Sequence, residues 1–281
     1  MGALSINVIL DGRRLSVEEI RAVELERARK TLAEMLELGA TPMHGSVAIE
    51  PQDIGGFDLA TLKQILVQTK VKLGLDGIKA LYKQPLLEGD RMWHEIAAAS
   101  PEGREFQPCI VDVEVDGLTI GQFMAMFMGM MKPGSDLSAF FDMHPEHFVM
   151  EAKGLHGSTV MEVMGMYGPP AYMWMDILRR KNMPASIPID KDTNIVMAGI
   201  GKLVSDGSPM KLIGAHQFKI RPNGMSVKLA VYFPKATPKE LVEGHKWHFA
   251  VEFFNAMTSA HQIKSRVMAP LLNLLFKFVK I

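Results

Sequence analysis

The segment His248-Phe-Ala-Val-Glu252 sets an imidazole and a carboxylate four residues apart. On a helix that spacing puts both on one face, where they can meet one cation. His245 and Asn255 extend the same stripe. Trp247, Phe249, Val251, Phe253 and Phe254 surround it with apolar side chains among which polar groups need partners. By spacing alone, the solvent face of an amphipathic helix is the commoner explanation.

Three further stretches carry similar chemistry. In Asp142-Met-His-Pro-Glu-His147 the two imidazoles of His144 and His147 could reach one site, or the stretch could be a solvated polar loop. Glu162 lies in Val160-Met-Glu-Val-Met-Gly-Met-Tyr167, where strand alternation puts it on the face of Val160, Met164 and Met166. If that face is inward, the carboxylate needs a cation or must become neutral; a shifted register would leave it at the sheet edge. His216 shares its face with Phe218 and Ile220 and points inward, where a lone histidine is more often a hydrogen-bonded core residue. Tyr232 alternates with Met225, Val227, Leu229 and Val231, and its direction is open.

Each signal is weak alone. Together they supply imidazoles and carboxylates from a loop, two strands and a helix, enough for a two-His, two-Glu metal site. The sequence has no Gly-x-Ser-x-Gly elbow, P-loop, His-Glu-x-x-His, paired Cys-x-x-Cys or dinucleotide fingerprint.

The elements that must position these groups follow from the pattern. Ser16-Val-Glu-Glu19 is a capping box opening a charged helix that runs to about residue 38 on the surface. Residues 39–56 are rich in Gly, Pro and Asp, and 59–81 again have helical spacing. From Pro108, Val111, Val113 and Val115 alternate with Asp112, Glu114 and Asp116, a strand closed by Asp116-Gly117. A Met- and Phe-rich helix is expected over 118–131, ended by Pro133-Gly134, and another opens within 135–141. Further strands are expected over 159–167, 193–204, 212–220 and 225–233, the last two joined through Arg221-Pro-Asn-Gly224. Pro238 opens a C-terminal helix reaching at least Met268, with Pro270 interrupting it before an apolar tail. The pattern is α+β: residues 1–105 a mainly helical N-terminal region, 106–281 a domain whose sheet packs on the last helix.

The 281 residues are 48% apolar and 22% charged, sufficient for a large core. A formal net charge of zero offers no field to attract phosphate, so nucleic acid is not an expected partner. Cys109, the only cysteine, forms no internal disulfide, and with no secretory leader in evidence a cytoplasmic location is expected. The apolar runs at 123–131 and 270–281 are too short to span a bilayer.

At this point the sequence resembles the diacetylphloroglucinol and phloretin hydrolase family. Gly117-Leu-Thr-Ile-Gly-Gln-Phe-Met-Ala-Met-Phe is similar to its helix opening, and His144-Pro-Glu-His147 to its ligand segment. Residues 158–168 resemble the strand carrying its ligand glutamate, and Ala215-His-Gln-Phe with Gly224 its histidine-bearing hairpin; 241–255 resemble its last helix. The resemblance covers about residues 117–260. It implies a helix-grip fold of the Bet v 1 and START type. It also implies metal ligands His147, Glu162, His248 and Glu252 for Zn2+, with Fe2+ or Mn2+ as alternatives. His216 would stand near the reacting carbonyl, with His144 and Tyr232 as further catalytic candidates.

The implied activity is hydrolysis of a carbon–carbon bond in an acyl-phenol or β-diketone-like ketone, a retro-Claisen reaction. The methionines of 124–131, with Met164, Met166, Met173 and Met175, would suit an apolar pocket or simply fill the core. A START-like protein that binds a hydrophobic ligand without chemistry is the alternative. A homodimer is expected through the charged N-terminal helix and the apolar tail.

Overall fold

The computed structural model describes residues 3–100, 105–132, 134–154, 157–165, 167–262 and 268–278. Pro133, Met166, 263–267 and the tail 279–281, which entered the expectations above, lie outside the described residues.

The chain opens with strands β1 (Ser5–Leu10) and β2 (Arg13–Arg14), turned at Asp11-Gly12, both with positive φ. Helix α1 (Val17–Glu37) starts with the expected capping box: Ser16 Oγ accepts from Glu19 N–H at 3.1 Å, and Glu19 accepts from Ser16 N–H at 2.8 Å. After the short hairpin β3 (Met43–His44) and β4 (Val47–Ala48) and a 3-10 turn come α2 (Leu59–Leu81), capped by Asp58, and α3 (Lys83–Ala99). Then follow β5 (Phe106–Asp116), α4 (Ile120–Met130), α5 (Ser138–Met143), β6 (His147–Ala152), β7 (Gly157–Glu162), β8 (Ala171–Ile177), β9 (Ile195–Leu203), β10 (Pro209–Arg221) and β11 (Gly224–Pro234). Two helices end the described chain, α6 (Lys239–Gln262) and α7 (Met268–Phe278).

The fold is α+β. Among the described residues nine strands form one antiparallel sheet in the order β2-β1-β5-β11-β10-β9-β8-β7-β6. Across β5 and β11, Val111 faces Leu229, Val113 faces Val227 and Val115 faces Met225, all six fully or nearly fully buried. Helix α6 packs against β5 and β1 on one side and against α1, α4 and α5 on others. Its central position explains why it buries residues all round, from Leu241 and Val242 to Ala250, Val251 and Ala260.

In several places the structure adds to or departs from the pattern in the sequence. Helix α1 is not a surface helix: Ile20, Glu24, Arg27, Ala28, Leu32 and Met35 are buried. Residues on both sides of position 105 share one core, and β1 pairs with β5, so the N-terminal region is built into the same sheet. β6 and β8 were not foreseen, because β6 is a short run buried on both faces and β8 mixes polar and apolar residues without a strict period of two. Helix α6 is described as far as Gln262 and α7 from Met268; residues 263–267, through which the expected helix runs, lie outside the described residues, and Pro270 sits in the first turn of α7, where its missing N–H costs nothing.

Helix α7 packs on α4 and leaves Leu271, Leu274 and Leu275 exposed. Among the expected pocket methionines, Met126, Met130, Met164 and Met173 are core residues, while Met128 is exposed. No helix among the described residues is long and apolar enough to cross a membrane.

Candidate metal centre

The site is assembled where the free edge of the sheet meets α6. His144 ends α5 in an extended conformation, as a residue before proline is forced to do, and Pro145 then turns the chain into β6. His147 opens β6 and Glu162 closes β7, and the two are cross-strand partners. The expected strand over 159–167 therefore ends at Glu162, and Gly165, with φ 79°, turns the chain away. A Cβ on Gly244 would lie 1.9 Å from the Gly165 carbonyl oxygen, so paired glycines let the backbone after β7 touch the backbone of α6. One turn further along α6 stands His248, and one turn beyond it Glu252.

Four polar side chains converge there. His147 Nε2 and His248 Nε2 are 3.3 Å apart. Glu162 Oε2 lies 3.9 Å from His147 Nε2 and 4.0 Å from His248 Nε2. Glu252 offers Oε1 at 3.9 Å to His147 and Oε2 at 3.9 Å to His248. His144 belongs to the same cluster: its ring stacks on His248 with centroids 3.8 Å apart. The buried His144, His147 and His248 bring one nitrogen each within 4.8 Å of one another, close enough to hold a metal ion.

Hydrogen bonds assign the tautomers. His147 Nδ1 faces the Phe140 carbonyl at 3.2 Å, so that nitrogen carries the proton and Nε2 presents a lone pair. His144 Nδ1 instead accepts from the Glu146 N–H at 3.1 Å, which puts its proton on Nε2. His144 Nε2 has no hydrogen-bond partner among the described residues. His248 Nδ1 has no hydrogen-bond partner among the described residues; the Glu146 carboxylate lies 3.6 Å from it, longer than a hydrogen bond. That neighbour is an acceptor, which favours the proton on Nδ1 and leaves His248 Nε2 too as a lone pair.

Burial sets the protonation of the whole cluster. It pushes the Glu162 carboxyl up to about 8, with the charge of Glu146 adding to the effect. It raises Glu252 well above the usual carboxylate range, with Glu162 as the second cause. It holds His147 and His248 far below the usual imidazole value, aided at His147 by His248 and at His248 by Arg27. Glu162 and Glu252 nevertheless keep 14% and 23% of their side-chain surface accessible, so they line a space rather than solid core. No Lys or Arg pairs with either carboxylate among the described residues.

Of the other sequence candidates, His216 is on the inner sheet face, its ring edge-on to Phe249 and Phe253 of α6. His216 Nδ1 accepts from the Ala230 N–H at 3.2 Å, leaving the proton on Nε2, and burial lowers its pKa to about 4. Tyr232 is not brought to the site. It pairs with Pro108 and Ile213 on the opposite face of the sheet, in a separate small core with Ile187, Ala215 and Ala230. His245 stacks on the far side of His248 at 5.0 Å, against Phe233. Asn255 ties α6 to Glu24 of α1 at 2.7 Å and to the Met143 carbonyl at 2.9 Å. The polar stripe of α6 is thus an interior seam, not a solvent face. A hollow of about 250 Å3 lined by Asp112, Asp190, Gln217 and Lys228 involves none of these side chains.

The sequence reading gave no role to Glu146, Arg27 or Lys70. Arg27 Nη1 donates to Glu146 Oε2 at 2.8 Å, and the fully buried Lys70 donates to the Pro145 and His147 carbonyls. One signal was available: Glu24, Arg27 and Lys70 occupy the apolar phase of their helices, beside Ile20, Ala28 and Leu66, where a charge is out of place.

No family model matches the chain, and no curated protein does.

Proposed function

We propose that the chain is a metal-dependent hydrolase that cleaves a carbon–carbon bond in a ketone, with His147, Glu162, His248 and Glu252 as ligands of a divalent ion, zinc in first place. The observation that carries this is the facing of two imidazole lone pairs at 3.3 Å, with two cation-free carboxylates within 4.0 Å of both. Ligand atoms around a tetrahedral ion with bonds of about 2.1 Å stand roughly 3.4 Å apart, so only small closure is needed. Two carboxylates and two neutral imidazoles also balance a dication, whereas without one the buried acids must stay protonated. His144, proton on Nε2, stands beside the set and outside it.

The order strand, two helices, six-strand meander and long helix, with β5 returning next to β11, supports a helix-grip domain, and with it the resemblance to the phloroglucinol-ketone hydrolases. A bound ion of this kind polarises a carbonyl and lowers the pKa of water. The chain supplies the rest. Water adds its hydroxyl to the acyl carbon, the bond to the ring carbon breaks, and that carbon takes up a proton, giving a carboxylic acid and a phenol. His216 and His144 each present a neutral Nε2–H, a donor able to hydrogen-bond the ketone and orient it, while the proton taken up by the ring carbon is the one that the water gives up. Phe249 and Phe253 bound the apolar side of the site beside His216.

Elemental analysis of the purified protein and of His248→Ala tests this, together with release of carboxylic acid from an acyl-phenol before and after chelation. One divalent ion per chain, lost in the variant, and chelator-sensitive release are expected. A metal-free protein, indifferent to chelator, would instead be a non-catalytic binder of hydrophobic ligands.

A further inference from the structure

The four proposed ligands leave unexplained the charges buried beneath them. Glu146 lies in the loop between His144 and His147, and its side chain is 2% accessible. Its Oε2 is 3.6 Å from His248 Nδ1, the nitrogen turned away from Glu162 and Glu252. The same oxygen accepts from Arg27 Nη1 at 2.8 Å, and Arg27 is itself 2% accessible. Arg27 Nη2 donates to the Gly244 carbonyl at 2.8 Å, one turn before His248 on α6. A single guanidinium from α1 therefore fixes both the carboxylate and the ligand-bearing helix. A second clamp repeats the arrangement further along: Glu24 of α1 holds Asn255 of α6, which in turn holds the Met143 carbonyl.

We propose that Glu146, anchored by Arg27, is a positioning residue of the metal centre: the carboxylate partner of His248 Nδ1–H, which fixes that ring's orientation and raises the basicity of Nε2. This rests on the metal reading above. The physical ground is general, since a ligating imidazole whose second nitrogen donates to a carboxylate is held in one tautomer and binds metal more tightly. The 3.6 Å separation becomes a hydrogen bond through a small rotation of the ring toward Glu146. The Val163 backbone, which is uncharged, also acts on the His248 ring, so the charge on Glu146 is what the experiment must isolate. The assignment also gives the N-terminal helices a function: α1 is part of the metal centre through Arg27.

The test is zinc affinity, by competition with a chromophoric chelator, for the full chain and for Glu146→Gln and Glu146→Asp, with folding followed by the thermal transition. Glu146→Gln should bind zinc roughly 10- to 100-fold more weakly. Glu146→Asp, which keeps the charge and the pairing with Arg27, should recover part of the loss. Wild-type affinity in Glu146→Gln overturns the role of Glu146 and leaves the metal reading standing. A wild-type chain that takes up no zinc overturns both. If Glu146→Gln does not fold, Glu146→Asp decides: weakened zinc binding through its shorter arm supports the assignment, and undiminished binding refutes it.

Discussion

Replacing Glu162 with glutamine exchanges one oxygen for an amide and fixes the side chain in an uncharged form. In the metal-free protein burial first, and Glu146 second, push the Glu162 carboxyl from its ordinary 4.5 up to about 8. A carboxyl raised in the folded state stabilises most below its unfolded pKa, and that contribution is lost as pH rises toward the folded value. Between about pH 5.5 and about pH 7.5 the unfolded chain releases this proton while the folded one largely keeps it, which costs wild type on the order of 2.5 kcal/mol that the glutamine variant is spared.

For a domain of this size that is a Tm difference of about 5 °C between the two proteins, opening as pH rises. The buried histidines titrate with the opposite sign: lowered in the folded state, they cost stability as pH falls through their ordinary 6.5. They are present in both proteins and cancel in the difference, which reports the carboxylates. Glu252, for which Glu162 is the second cause of its shift, is relieved in the same direction.

Saturating zinc should reverse the order, because the ion demands the ionised ligand that glutamine lacks; at 100 times its Kd, zinc would add about 2.7 kcal/mol to wild type. Scanning calorimetry of both proteins at the two pH values, stripped and loaded, measures all of this. A Tm difference that does not change with pH means that Glu162 is ionised in the folded metal-free protein. Equal zinc stabilisation of both proteins removes Glu162 from the ligand set.

His144→Ala should retain its metal, because the His144 Nδ1 is occupied by the Glu146 N–H and its Nε2 is protonated; loss of the ion in elemental analysis would make it a ligand. Gly244→Ala should cost about 1–3 kcal/mol in urea unfolding and weaken zinc binding, since backbone meets backbone at the Gly165 contact and no side chain can move aside. Unchanged unfolding would mean that α6 shifts freely against β7. Tyr232→Phe should leave metal content unchanged and hold or raise stability by about 1 kcal/mol, because the buried hydroxyl has no hydrogen-bond partner among the described residues. A drop in metal content would connect the outer face of the sheet to the site.

Local chemistry made several elements legible in the sequence. The Ser16 capping box, the alternation of Val111, Val113 and Val115, the Arg221–Gly224 reversal between β10 and β11, and the His248/Glu252 helix face each depend on residues close in the chain. Individual roles were less legible. Tyr232 could not be assigned a face until the pairing of β11 with β5 and β10 fixed the register, because a slip of one residue exchanges the two faces of a strand. α1 looked like a surface helix because about half of its residues are charged, and only packing against α2 and α6 made Glu24 and Arg27 interior groups.

Residue type and local spacing settled which side chains could bind a cation and on which elements they ride. Their meeting is a matter of packing: α6 had to lie across the sheet edge, through the Gly165–Gly244 contact, before His248 and Glu252 could face His147 and Glu162. Spacing within a helix or strand is fixed by backbone geometry over a few residues, whereas distances between remote segments depend on packing of the whole core. The protonation of the site is likewise a tertiary property, since burial, absent from any local pattern, is what raises Glu162 and lowers the histidines.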